Sequence, residues 1–227
     1  MSLLRRKPKT FDIQVQDLTL RITASPDLVE ESRAAALTFW EQLESYSLQH
    51  PEFRTSKRPI HVPEAAPDVV REIAASAGKA GVGPMFAFRG AVTDQVGRFL
   101  ARSVHELTVE CGGDVFLLKR KRTKLAVHQV NGGGPVAILV DPRPGGVGVA
   151  TTTGRGRRSE GAPDGLAVVA TSCMLADAAA AGVQALLPKP DGLRAALQYL
   201  EGVPDVQGGV VVQGERIGVA GAVEIAS

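Results

Sequence analysis

The sequence predicts an α+β fold, and three observations carry that prediction. Segments of alternating polar and apolar residues open the chain, recur in its middle and close it. Between them lie stretches whose apolar residues return every three or four positions, as on one face of a helix. The order is strands, helices, strands, then helices and strands again, which suggests two related halves. No linker long enough to separate two domains interrupts this order, so residues 11–227 read as one domain behind a flexible basic tail, residues 1–10.

Phe11-Asp12-Ile13-Gln14-Val15 and Leu18-Thr19-Leu20-Arg21-Ile22 alternate strictly and are joined by Gln16-Asp17, the pattern of a hairpin. Ser25-Pro26-Asp27 opens a helix, with Ser25 as cap, that runs to about Leu48 through Ala34, Leu37, Trp40, Leu43 and Tyr46. A turn-rich segment from His50 to Pro63 follows, then a helix near Pro67 to Ala77. Gly83-Pro84 starts the next helix, since proline tolerates the first helical position. Its apolar stripe is Met85, Phe88, Val92, Val96 and Phe99, with Asp94 and Arg98 four apart on the wet side.

Glu106 to Glu110 alternates as a half-buried strand and leads into the turn Cys111-Gly112-Gly113-Asp114. Strands are expected at Val115–Leu118, Leu125–Val130, Val136–Val140 and Gly145–Ala150. Lys119-Arg120-Lys121-Arg122, between the first two, reads as a solvated hairpin end, with an anion or partner contact as the other reading. Leu166 to Thr171 is a fully apolar strand, and Ser172 caps a helix from Cys173 to Leu187. A last helix spans Asp191 to Gly202, and strands at Gly208–Val212 and Ile217–Ile225 close the chain. These final strands are apolar enough that an open sheet edge would need covering, by pairing within the domain or with a second copy in a homodimer.

Composition narrows the function classes. With 227 residues, 44% of them hydrophobic, the chain can bury a full core. A net charge of +2 and 4% aromatic residues argue against a nucleic-acid surface. No apolar run approaches the roughly 20 residues that span a bilayer, and the basic N-terminus lacks the apolar core of a signal peptide. Cys111 and Cys173 form neither a disulfide framework nor a zinc spacing, and a reducing cytoplasm fits them. The four histidines show no ligand spacing.

Several residues are candidates for chemistry. A helix N-terminus with free amides after Gly81 and Gly83 favours a phosphate. Gly112-Gly113-Asp114 is either part of that site or only a tight turn. Arg155 and Arg157 (with Arg158), in the glycine-rich loop after Thr152, Thr153 and Gly154, suit a pyrophosphate clamp or a solvated loop. Cys173 stands at a helix start, where a thiolate is favoured, but its apolar neighbours make it a small core residue. Asp177 is the only charged side chain between Asp164 and Lys189. An unpaired buried carboxylate is costly, so it needs a metal, a hydroxyl, backbone amides or a ligand, unless it escapes to solvent from one helix face.

The runs Leu43-Glu44-Ser45-Tyr46, His50-Pro51-Glu52-Phe53, Ala80-Gly81-Val82-Gly83-Pro84-Met85 and Gly90-Ala91-Val92 resemble the short branch of the ApbE-like superfamily. The resemblance continues through Val109 to Val115, Thr151 to Gly154 and Ala176 to Ala180. The superfamily's better-known branch comprises FAD:protein FMN transferases, which hold FAD and magnesium and move FMN onto a threonine or serine of a target protein. The resemblance therefore implies two related halves of antiparallel sheet with packed helices around a central cleft, and a nucleotide or other small-molecule ligand there, FAD or FMN above all. It places Gly112, Gly113 and Asp114 on the flavin cleft, Thr152, Thr153 and Gly154 near the nucleotide, and Asp177 at the metal-ligand and catalytic position. Ala181 stands where the transferases carry a threonine, and their histidine before an isoleucine-aspartate-proline segment is missing, although Val140-Asp141-Pro142 remains nearby. Magnesium-dependent FMN transfer is accordingly not expected, and without that threonine Asp177 is left as a lone donor at the metal position.

Overall fold

The computed structural model describes residues 7–25, 28–130, 133–151 and 162–226. Strands β1 (Lys9–Val15) and β2 (Leu18–Ala24) form the expected hairpin, in register Val15 opposite Leu18. Lys9 and Thr10, assigned to the tail from sequence, belong to β1. Helix α1 (Val29–Gln49), the short α2 (Pro51–Thr55) and α3 (Asp68–Ala80) follow. Helix α1 begins at Val29 rather than at the expected Ser25 cap; Pro26 and Asp27 lie outside the described residues. A 3-10 turn, Pro84–Ala87, then precedes α4 (Phe88–Leu100).

Strands β3 (Leu107–Cys111), β4 (Asp114–Leu118), β5 (Thr123–Val127), β6 (Val136–Val140), β7 (Val147–Thr151) and β8 (Gly165–Ala170) come next. Helices α5 (Cys173–Leu186) and α6 (Gly192–Gly202) and strands β9 (Val206–Gln213), β10 (Arg216–Gly221) and β11 (Glu224–Ala226) complete the fold. Ser172 caps α5 as expected, its hydroxyl accepting from Leu175 N–H at 3.1 Å.

An eight-stranded antiparallel sheet, in the order β1-β2-β3-β4-β7-β8-β9-β10, organises the molecule. On one face, α1 and α4 cover its first half, with Ala36, Val92, Val96 and Leu100 against Leu20, Ile22 and Val109. On the same side of the second half, α5 and α6 place Leu175, Val183 and Leu200 against Leu166, Val168 and Val211. The opposite face of the central strands packs on the small sheet β11-β6-β5, Val149, Val169 and Val210 meeting Val127, Ile138 and Val140. Being covered on both faces is why β8 is buried throughout and reads as a continuous apolar run.

Four details differ from the sequence reading. Asp94 is not on the wet side of α4 but 2% exposed, while Arg98 turns to Glu72. Leu100 fills the core position expected of Phe99, which is 39% exposed. Lys119 to Arg122 do not cap a hairpin: β4 and β5 lie in different sheets, and Arg122 anchors the crossing through Asp141 (2.6 Å) and Glu224 (2.8 Å). The last expected strand is two, broken at Gly221 (φ +65), where the chain leaves the large sheet for the small one. Strand β10 is the outer strand of the large sheet, with Ile217 and Val219 exposed. No helix among the described residues is long and apolar enough to cross a membrane.

Candidate functional site

The two halves meet where α4 and α5 start, and each helix satisfies the other's first turn. Asp177 of α5 accepts a hydrogen bond from Gly90 N–H at 3.1 Å, and Arg89 N–H also faces it. Asp94 of α4 accepts from Met174 N–H at 3.1 Å, and the Cys173 amide and thiol reach the same carboxylate. First-turn amides have no partner within their own helix, so an acceptor from a neighbour removes a desolvation cost. This geometry corrects the expected anion site. The α-helix begins at Phe88 rather than Pro84, and amides of its first turn are already taken by Asp177.

The close approach depends on glycine. A Cβ on Gly90 would lie 2.3 Å from the carbonyl oxygen of Cys173, and one on Gly148 would lie 2.0 Å from the carbonyl carbon of Ser172. Gly112 and Gly113 (φ +57 and +104) form the two-residue turn that pairs Cys111 with Asp114. That turn is tied to the end of β7, because Thr151 donates to Gly113 O from both its N–H (2.8 Å) and its hydroxyl (3.0 Å). The next residues, Thr152, Thr153, Gly154, Arg155 and Arg157, lie outside the described residues.

Asp114 is 3% exposed, and its Oδ2 accepts no hydrogen bond among the described residues. The nearest cation among the described residues is Arg89, with Nε at 3.6 Å from that oxygen. Arg89, Asp177 and Ala181 line a cavity of about 410 Å³ together with Met85, Phe86 and Phe88. A larger recess of about 620 Å³ lies beside α1, around Tyr46 and His50, away from these carboxylates. The smaller cavity is the candidate site because the displaced carboxyl of Asp177 lines it and Arg89, on the same lining, reaches the buried Asp114.

Burial pushes the Asp177 carboxyl up to about 6, with the Gly90 amide and Arg89 pulling the other way. Asp114 is held well above the usual carboxylate range, first by burial and then by the charge of Asp177, against the opposing pull of Arg89. Burial also raises Asp94, and it raises the Cys111 thiol to about 12. Cys173 is likewise shifted well upward by burial, so the thiol stays protonated and serves as a buried core group.

Of the predicted residues only Asp177 lines the cavity; Asp114 and the Gly112-Gly113 turn stand behind Arg89, which does line it. Gly81 and Gly83 do not line the cavity. Gly81 (φ +69) ends α3, with Gly81 N–H bonded to Gly78 O and Val82 N–H to Ala77 O. Gly83 lets the chain pass Ser56, whose carbonyl oxygen would lie 1.9 Å from a Cβ there. Sequence reasoning missed two residues. Asp94 was hidden by its spacing from Arg98, and Arg89 carries no motif signal at all.

Magnesium, which the resemblance implies beside Asp177, does not fit these side chains. One Asp177 oxygen is bonded to the Gly90 amide, Ala181 offers no donor one turn later, and Arg89 brings a positive charge to the same wall. No cluster of three metal-ligating side chains occurs among the described residues.

Comparison with known proteins agrees with the architecture. A UPF0280 protein of Methanosarcina acetivorans is 29% identical over 227 residues, covering 96% of this chain and 88% of that relative. A UPF0280 protein of Methanopyrus kandleri is 30% identical over 217 residues, covering 92% and 88%. Among solved structures, the apo form of Pseudomonas stutzeri flavinyl transferase ApbE superposes with a TM-score of 0.60 at 17% identity, covering 97% of this chain and 96% of that one. The flavin transferase ApbE from Vibrio cholerae gives a TM-score of 0.59 at 12% identity, covering 94% and 97%. The profile of the family described as AbpE bacteria matches residues 1–196, and the chain belongs to that family, within the ApbE-like superfamily.

Proposed function

We propose that the protein binds a flavin nucleotide, FAD or FMN, or another phosphate-bearing ligand in the cleft between the 3-10 turn and α5, without magnesium-dependent FMN transfer. The observation that carries this reading is the cavity itself, whose lining combines an arginine and a titratable aspartate with the apolar Met85, Phe86 and Phe88. An apolar wall accepts a flat ring, and a guanidinium offers paired N–H donors to a phosphate. The structural neighbours named as flavin transferases share the fold, which by itself does not fix function. If the protein catalyses a reaction, Asp177 and Asp114 are its acid-base groups. The donorless Ala181 favours a second reading, a binding or assembly protein that kept the cleft without the chemistry. The cytoplasm is the proposed compartment, since Cys111 and Cys173 are free thiols.

Thermal melting with FAD, FMN, ADP and pyrophosphate tests the ligand class. A ligand at 100 times its Kd stabilises by about 2.7 kcal/mol, which raises the melting temperature of a chain this long by roughly 5–10 °C. A flat response to all four would remove the phosphate-bearing ligand from the proposal.

A further inference from the structure

The Asp114–Asp177 pair is a partly built cation site. Among the described residues Asp114 Oδ2 is buried without a hydrogen bond, and Asp177 beside it is met by backbone amides alone, those of Gly90 and Arg89. The group that faces both is Arg89. Its Nε lies 3.6 Å from Asp114 Oδ2, and it shares the cavity wall with Asp177. The Arg89 side chain is 53% exposed, so the guanidinium reaches Asp114 with one edge while the rest is open to the cavity. It also packs over the turn, since a Cβ on Gly112 would lie 3.5 Å from Arg89 Nη1.

We infer that Arg89 is the resident cation of this cleft: it neutralises the Asp114–Asp177 pair where a divalent ion would otherwise sit, and its outward N–H groups take the ligand's phosphate directly. The phosphate half of this inference rests on the proposed function; the cation half does not. A fixed positive charge beside two carboxylates disfavours a dication there, and Ala181 supplies no oxygen to compensate. A guanidinium also meets carboxylate and phosphate with the same planar fork, so it can serve both faces at once.

The test uses the whole protein with Mn²⁺ alone, followed by electron paramagnetic resonance, and needs no organic ligand. Arg89→Gln is expected to bind Mn²⁺ at least about tenfold more tightly than the unmodified protein, with Arg89→Lys staying as weak as the unmodified protein. Adding Asp177→Asn to Arg89→Gln should abolish the gain. Arg89→Ala replaces Arg89→Gln if circular dichroism shows that the glutamine variant does not fold. Equal Mn²⁺ affinity in the unmodified and uncharged variants, or no gain in either uncharged variant, overturns the inference. A second arm titrates pyrophosphate in EDTA. Binding weakened about tenfold in Arg89→Gln supports the phosphate role, and unchanged binding contradicts it. Absence of pyrophosphate binding beside the expected Mn²⁺ gain would sink the phosphate reading and leave the cation assignment standing.

Discussion

Gly90→Ala is expected to destabilise the protein by about 3 kcal/mol, a fall of roughly 6–12 °C in melting temperature. The added methyl would lie 2.3 Å from the carbonyl oxygen and 2.6 Å from the carbonyl carbon of Cys173. Both are backbone atoms held by the start of α5, so a side chain cannot swing aside to make room. The two helices would have to separate, and separation lengthens the Gly90–Asp177 hydrogen bond and the Asp94–Met174 one together. Gly78→Ala, in α3, is the matched control. Nothing lies within 4 Å of its Cβ position, and replacing a helical glycine by alanine should add about 0.5–1 kcal/mol. A neutral Gly90→Ala would show that α4 and α5 do not meet this closely.

Asp94→Ala is expected to cost about 2–4 kcal/mol, because it leaves the Met174 and Cys173 amides buried without an acceptor. Asp94→Asn keeps one oxygen in place and should cost less than half of that. The pH dependence follows from the direction of the shifts. Asp94, Asp114 and Asp177 all have folded pKa values above the ordinary 3.8. Each therefore holds its proton in the folded state at a pH where the unfolded chain has lost it, so each favours folding at low pH and loses that contribution as pH rises. For Asp177 the window runs from about 3.8 to about 6. The charged and titratable groups that act on the three carboxyls are Arg89, Asp94 and Arg98 on α4 and Asp177 and Cys173 on α5. Melting temperatures measured across pH 4 to 7 should show a shallower decline in Asp177→Asn than in the unmodified protein. Parallel curves would contradict the assignment.

Most strands were legible in the sequence because a half-covered sheet imposes alternation, as in Phe11 to Ile22, and a doubly covered strand imposes an apolar run, as in Leu166 to Ala170. Their partners were not. Nothing local in Leu125 to Val127 says that it pairs with Val136 to Val140 on a second sheet, and the split at Gly221 depends on the small sheet being there to receive Glu224 to Ala226. Asp177 stood out because it is a lone charge in an apolar helix, and backbone amides were among the partners it was expected to need. Asp94 misled because an acid four residues before an arginine is the usual sign of a solvated face. The amide that donates to it, Met174 N–H, lies 80 residues away at the start of α5. Arg89 could not be found from spacing, since its importance comes from Asp114 arriving beside it through the turn at Gly112-Gly113.

Isothermal titration of the unmodified protein with FAD, in buffer containing EDTA, tests the central claim most directly. The account predicts one site per chain, with an affinity unchanged when excess Mg²⁺ replaces the EDTA and weakened in Arg89→Gln. Heat of binding that appears only with Mg²⁺, or none under either condition, would contradict it.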